Sequence, residues 1–114
     1  MNFTAIGYGV TVKNETQTLI DAIINSNSLR MKQRHLYITE DSRGQVICDN
    51  YDNPCGVALI IKDDEYFIHS CDTGTRAKIN MDTAVEVAKN FFNNLATYNI
   101  WERATLRERN TPSA

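Results

Sequence analysis

The stretch VALIIKDDEYFIHS, residues 57–70, decides the fold of this chain. Its first five residues are apolar at every position, which is typical of a strand that is covered on both faces. The polar residues 62–65 follow as a short turn, and residues 65–71 have the composition of the next strand. The stretch therefore predicts an antiparallel hairpin, with residues 57–61 as the central strand of a sheet.

Two further strands are predicted just before this hairpin. Residues 35–39 and 45–49 carry apolar side chains at alternate positions, and the short polar segment 41–44 between them predicts a tight turn. Residues 49–54 predict a longer turn, because Pro54 disfavours regular strand conformation around it.

The N-terminal part predicts one more strand and a helix. Residues 4–12 alternate as a strand, and Asn14 with Gln17 three residues later predicts a capping box at the start of the helix. One apolar stripe on that helix is expected to lie on the sheet, and it consists of Leu19, Ile20, Ile23 and Ile24.

The C-terminal part predicts a second helix and a closing strand. Residues 76–79 are extended, and Asn80 or Asp82 caps a helix that reaches Leu95. Residues 98–101 are predicted as a short closing strand with Trp101 in or beside the core, and Phe91 and Phe92 are predicted core residues. Residues 103–114 are predicted to be a polar, flexible tail.

Together these elements give the order β-α-β-β-β-β-α-β. The predicted fold class is α+β, an antiparallel sheet of five to six strands with two helices, in a single domain of residues 1–102. A chain of 114 residues with 42% apolar side chains suits one domain. No apolar run approaches the roughly 20 residues of a membrane span, so we expect a cytoplasmic protein with no membrane partner.

The charge of the chain is concentrated in its middle. Between Glu40 and Asp72 there are eight acids and two bases, whereas the whole chain has a net charge of −2. An anionic region of this kind is typical of a surface that binds a basic partner, although solvated hairpin turns give the same count. The candidate partner-binding residues are Glu40, Asp41, Asp49, Tyr51, Asp52, Asp63, Asp64, Glu65, Tyr66 and Asp72.

Catalytic and cofactor-binding patterns are weak. His69 and Cys71 share one face of a predicted strand, but the sequence identifies no third group that would orient them as a nucleophilic pair. The spacings of Cys48, Cys55 and Cys71 fit no zinc motif and no disulfide framework. We therefore predict no catalytic residue, no metal and no cofactor, and we expect reduced thiols.

Residues 36–102 resemble the first immunity-protein family of bacterial polymorphic toxin systems, which includes contact-dependent growth inhibition immunity proteins. The matching features are the hairpin of residues 57–61 and 66–69, an amphipathic helix over 83–95 with Phe91 and Phe92, and the closing Asn-Ile-Trp-Glu at residues 99–102. The resemblance implies a protein that binds and neutralises one cognate toxin domain, often a nuclease or a nucleic-acid deaminase, and that catalyses no reaction.

The leading hypothesis is thus an immunity protein that binds the C-terminal domain of its toxin 1:1 through the acidic surface. The main alternative is a small nucleic-acid- or ligand-binding domain that uses the sheet face and the bases Arg30, Lys32 and Arg34, although the net negative charge makes nucleic acid unlikely. A thiol-dependent enzyme using Cys71 is the third hypothesis.

Overall fold

The computed structural model describes residues 5–6, 9–49 and 56–110, without the side chains of residues 5, 6, 32, 33 and 110. Within these ranges the chain forms one sheet and three α-helices. The elements are β1 (Ala5–Ile6), α1 (Asn14–Ser26), a 3₁₀ turn (Arg30–Gln33), β2 (Leu36–Asp41), β3 (Gly44–Cys48), β4 (Val57–Lys62), β5 (Glu65–Ser70), β6 (Arg76–Ile79), α2 (Met81–Lys89) and α3 (Asn94–Asn110).

The strands are arranged in the sheet in their order along the chain. Strands β2 to β6 form a five-stranded antiparallel meander, and the two residues of β1 pair in parallel with the start of β2. The predicted α+β class and the antiparallel sheet are confirmed. The hairpin of residues 57–70 is also confirmed, with β4 and β5 paired from Val57–Ser70 to Lys62–Glu65.

Strand β4 is buried on both faces of the sheet, as its continuous apolar run predicted. Leu59 and Ile61 belong to the main core, which the helices cover, whereas Ala58 and Ile60 belong to a small second cluster on the other face. The main core holds the apolar faces of α1 and α2 together with Ile100 and Trp101 of α3. One face of the sheet is therefore packed against helices.

The C-terminal prediction of one helix and a closing strand was wrong. The helix predicted to reach Leu95 ends at Lys89, and residues 98–101 lie inside α3 instead of forming a strand. Buried residues recur in α3 with helical spacing, at Thr97, Ile100, Trp101 and Ala104. A run of four residues is too short for its periodicity to separate helix from strand, and this is why the prediction failed.

Helix α3 lies along the free edge of β6. Trp101 Nε1 donates to the carbonyl oxygen of Thr75 at 2.9 Å, and the backbone amide of Lys78 donates to Glu108 Oε1 at 2.6 Å. The bond to Glu108 satisfies a backbone amide that the edge strand leaves open, whereas the Thr75 oxygen also accepts a hydrogen bond from the Ser70 amide. The predicted domain boundary after Glu102 falls within this helix, so residues 103–110 are helical; residues 111–114 lie outside the described residues.

The start of α1 also differs from the prediction. Lys13 occupies the cap position without a capping side chain, and Gln17 donates to Asp21 rather than closing a capping box. The buried side chain of Gln45 takes over this role, because its Oε1 accepts hydrogen bonds from the Lys13 amide at 3.1 Å and from Thr16 Oγ1 at 2.6 Å. A side chain 29 residues away from Thr16 thus stabilises the first turn of the helix.

Two other local predictions have clear outcomes. Of the predicted strand over residues 4–12, the structure describes residues 5–6 and 9–12. Ala5–Ile6 form β1, and residues 9–12 are not in the sheet. The Asn80 cap of α2 is confirmed, since its side chain accepts a hydrogen bond from the Thr83 amide at 2.8 Å. Phe91 and Phe92 are buried as predicted, but they lie in the turn between α2 and α3.

Candidate partner-binding surface

The β2–β3 and β4–β5 turns lie at the same end of the sheet, which we call the turn end. The antiparallel order of the strands requires this placement, and Lys62 Nζ donates to the carbonyl oxygen of Ser42 at 3.1 Å across the two turns. Five of the predicted binding residues are brought together there, and the two turns also carry the bases Arg43 and Lys62. The five acids are Glu40, Asp41, Asp63, Asp64 and Glu65.

The β4–β5 turn holds two of these acids at its tip. Lys62 pairs with Glu65, so Asp63 and Asp64 form a two-residue hairpin turn, and both have positive φ, 50° and 65°. Aspartate tolerates this left-handed conformation better than most residues do, and such turns match the twist of the strands. Both side chains are exposed. These acids therefore suit the turn as well as a binding surface.

The β2–β3 turn carries an internal ion pair. The Arg43 guanidinium donates to both carboxylate oxygens of Asp41, with the shortest distance 2.7 Å, and the Arg43 amide donates to Asp41 Oδ1 at 2.8 Å. Hydrogen bonds from the Arg43 side chain lower the pKa of Asp41, although its slight burial opposes them. Asp41 thus stays ionised, but its charge is largely balanced within the turn.

Glu40, Glu65 and Tyr66 each make a contact within the protein. Glu40 Oε2 accepts a hydrogen bond from Gln45 Nε2 at 3.1 Å, and Glu65 Oε1 lies 3.5 Å from Lys78 Nζ in an exposed ion pair. Tyr66 is half-buried against the main core. Burial raises the pKa of Tyr66, and the charges of Glu15 and Asp64 add to this rise. Tyr66 is therefore mainly a packing residue beneath the turn end.

Asp49 and Asp72 lie at the opposite end of the sheet. Asp49 follows β3 and is half-buried, whereas Asp72 follows β5 and is exposed. Tyr51 and Asp52, also predicted to bind the partner, lie outside the described residues. The acidic middle of the sequence is thus divided between two ends of the molecule, which the charge count could not show.

At this opposite end, the first turn of α3 lies beside the start of β4 and the end of β5, and we call this region the helix end. It contains an open cavity of about 450 Å³, which Leu95 and Tyr98 line together with Asp72. Leu95 is 73% exposed and Tyr98 is 44% exposed. Sequence reasoning missed both as surface residues, because it placed Leu95 on a core stripe and Tyr98 in a strand.

His69 and the described cysteines lie near one another on the helix-free face of the sheet. A cavity of about 380 Å³ is lined by Cys48, His69 and Cys71, among others. Burial lowers the pKa of His69, and the positive charges of Arg43 and Arg76 lower it further. No group of three or more potential ligands within residues 5–6, 9–49 and 56–110 is arranged to hold a metal ion.

Two of the bases predicted for the alternative nucleic-acid surface make contacts within the protein. Arg30 Nη1 donates to the carbonyl oxygen of Phe92 at 2.9 Å, and the Arg34 guanidinium lies 5.1 Å from the centre of the Phe92 ring. These contacts fix both side chains against the turn between α2 and α3, and so they give the two bases a role in packing.

Comparisons of the chain with family models, curated proteins and solved structures give no match. None of the described helices has both the length and the apolar character needed to cross a lipid bilayer.

Proposed function

We propose that this chain is an immunity protein of the family that it resembles, and that it binds the toxin through the turn end. In this proposal it binds the C-terminal domain of its cognate toxin 1:1 in the cytoplasm and catalyses no reaction. The supporting observation is the juxtaposition of the two hairpin turns, which carry five acids and two bases at one end of the sheet, with Lys78 of β6 paired to Glu65.

A toxin that acts on nucleic acid must expose a surface that attracts its anionic substrate. A nuclease or deaminase binds phosphates through a basic groove, so a rigid acidic surface attracts it and competes for that groove. Clustered carboxylates matter more than scattered ones, because physiological salt screens exposed charges beyond about 8 Å. The hairpins fix the carboxylates of Asp63 and Asp64 on a short turn, which reduces the entropy that binding costs.

The direct test is co-expression with the C-terminal domain encoded immediately upstream of the gene, followed by size-exclusion chromatography at low and high salt. We expect a stable 1:1 complex and loss of the toxin's activity. Separation of the two proteins at both salt concentrations contradicts the proposal. A salt-dependent shift of labelled single-stranded RNA by the purified chain would instead favour the nucleic-acid-binding alternative.

A triple variant tests the turn end itself, namely Asp63→Asn, Asp64→Asn and Glu65→Gln. Asparagine is chosen because it tolerates the positive φ of the turn, whereas lysine would strain it. We expect association to slow by about tenfold at low salt and to become less salt-dependent. Stopped-flow binding to the toxin domain measures both effects.

The matched control neutralises three exposed acids on the helices, namely Asp21→Asn, Asp82→Asn and Glu102→Gln. It changes the net charge by the same amount but leaves the turn end intact. Equal slowing in both triple variants would show that only the net charge matters, and unchanged kinetics in the first would place the interface elsewhere.

A further inference from the structure

The helix end combines exposed apolar surface with an open cavity. Leu95 and Tyr98 lie one helical turn apart at the start of α3, and both are among the most exposed large apolar side chains of the described residues. The cavity between them and the sheet, which we call the socket, has Val57 and Ser70 among its lining residues. Apolar side chains that are this exposed beside a concave surface are typical of binding sites.

Gly56 and Asn94 both line the socket. Gly56 has a φ of +69°, and a Cβ at this residue would lie 2.7 Å from Asn94 Oδ1. The start of β4 and the first residue of α3 therefore approach each other closely. This approach places Leu95 and Tyr98 beside the end of the sheet.

Asp72 supplies a negative charge at the rim of the socket. Its side chain is exposed and makes no hydrogen bond or ion pair with any residue in the described ranges. By contrast, Asp41 and Glu65 at the turn end each have a basic partner. An unpaired carboxylate next to apolar walls is complementary to a cation carried on an apolar stem.

We propose that the socket receives an arginine side chain of a protein partner. The aliphatic part of arginine would lie against Leu95, and the guanidinium would donate to Asp72 while it lies against the ring of Tyr98. A planar guanidinium can do both at once, whereas the compact ammonium group of lysine is less suited to this geometry. This contact does not require the acidic turn end.

The test uses the full chain, labelled with ¹⁵N, and N-acetyl-arginine amide as the probe. We expect saturable shifts of amide resonances around residues 56, 72, 95 and 98, with a dissociation constant on the order of 1 mM, or about −4 kcal/mol. N-acetyl-citrulline amide has nearly the same shape without the charge, and we expect it to bind at least about fivefold more weakly. N-α-acetyl-lysine amide should also bind more weakly.

Two variants complete the test. Asp72→Asn should weaken arginine binding by about tenfold, whereas the matched Asp63→Asn should leave it unchanged. Leu95→Ala should also weaken binding, and its 73% exposure means that folding is preserved.

Several results overturn the inference. These are an absence of saturable shifts, shifts centred on the turn end, equal binding of the citrulline or lysine probe, or unchanged binding by Asp72→Asn. Because the probe replaces the toxin, the socket and the immunity function can fail independently of each other.

Discussion

The two ends of the sheet are held in different ways. At the turn end, each hairpin turn is closed by residues that are close in sequence, such as Asp41 with Arg43 and Lys62 with Glu65, and the Lys62–Ser42 hydrogen bond joins the two turns. At the helix end, they join distant residues, with Trp101 and Thr75 separated by 26 positions and Gly56 lying against Asn94. The acidic surface therefore depends on local turn geometry, whereas the socket depends on how α3 packs.

The largest effect should come from removing the anchor of α3. Trp101→Ala deletes a buried side chain that contacts Tyr98 and donates to Thr75. We expect a loss of about 3–5 kcal/mol in the free energy of unfolding, measured by urea denaturation. Trp101→Phe keeps an aromatic ring and should lose less. A cost below about 1 kcal/mol for Trp101→Ala would show that α3 is held by other contacts.

Two glycine-to-alanine variants, one at each end of the sheet, allow the two ends to be compared directly. Gly44 at the turn end has a φ of +121°, and an added Cβ would collide with the backbone of Ile61. Gly74, in the turn between β5 and β6, has a φ of +74° and no atom within 4 Å of an added Cβ. We expect Gly44→Ala to cost roughly 2–3 kcal/mol and Gly74→Ala about 1 kcal/mol.

Urea denaturation of both glycine variants measures this difference. The two substitutions make the same chemical change, so the excess cost at Gly44 reports its less accessible φ together with the close approach of β3 to β4. Equal costs for the two variants would show that the turn end relaxes to accept the methyl group. The turn end would then be less rigid than its backbone geometry indicates.

The same contrast explains which parts of the fold could be predicted from the sequence. Residues 57–61 and the polar turn after them carry a local pattern, and the structure has the hairpin where that pattern places it. Residues 98–101 carry no such pattern, since their helical conformation is stabilised through Trp101 by the carbonyl of Thr75, which precedes β6. The start of α1 was mispredicted for a similar reason, because its cap is the distant Gln45.

The candidate site was predictable to a smaller extent. The acids could be counted, but dividing them between two ends requires the strand order, which places Asp63 and Asp72 at opposite ends of β5. Leu95 and Tyr98 could be recognised as surface residues only once α3 was known, because an apolar residue near a helix boundary is by default expected in the core.

The smallest effect that we expect is a change in stability with pH that depends on charges from both ends. His69 lies on β5, and burial holds its pKa below the ordinary value near 6.5, with contributions from Arg43 of the turn end and Arg76 of β6. As the pH falls, His69 is therefore protonated in the unfolded chain before it is protonated in the folded protein. The free energy of unfolding is unaffected by this group above pH 6.5, and it decreases as the pH falls from there towards the lower pKa of the folded protein.

Urea midpoints measured between pH 7.5 and about 5 test this dependence. His69→Gln should flatten the decrease. Arg43→Gln should raise the pKa of His69 towards its ordinary value, because it removes one of the two positive charges, and an NMR titration of the imidazole measures this directly. If Arg43→Gln leaves that pKa unchanged while Arg76→Gln raises it, the electrostatic influence of the turn end does not extend along β5 to His69, and the two ends are electrostatically independent.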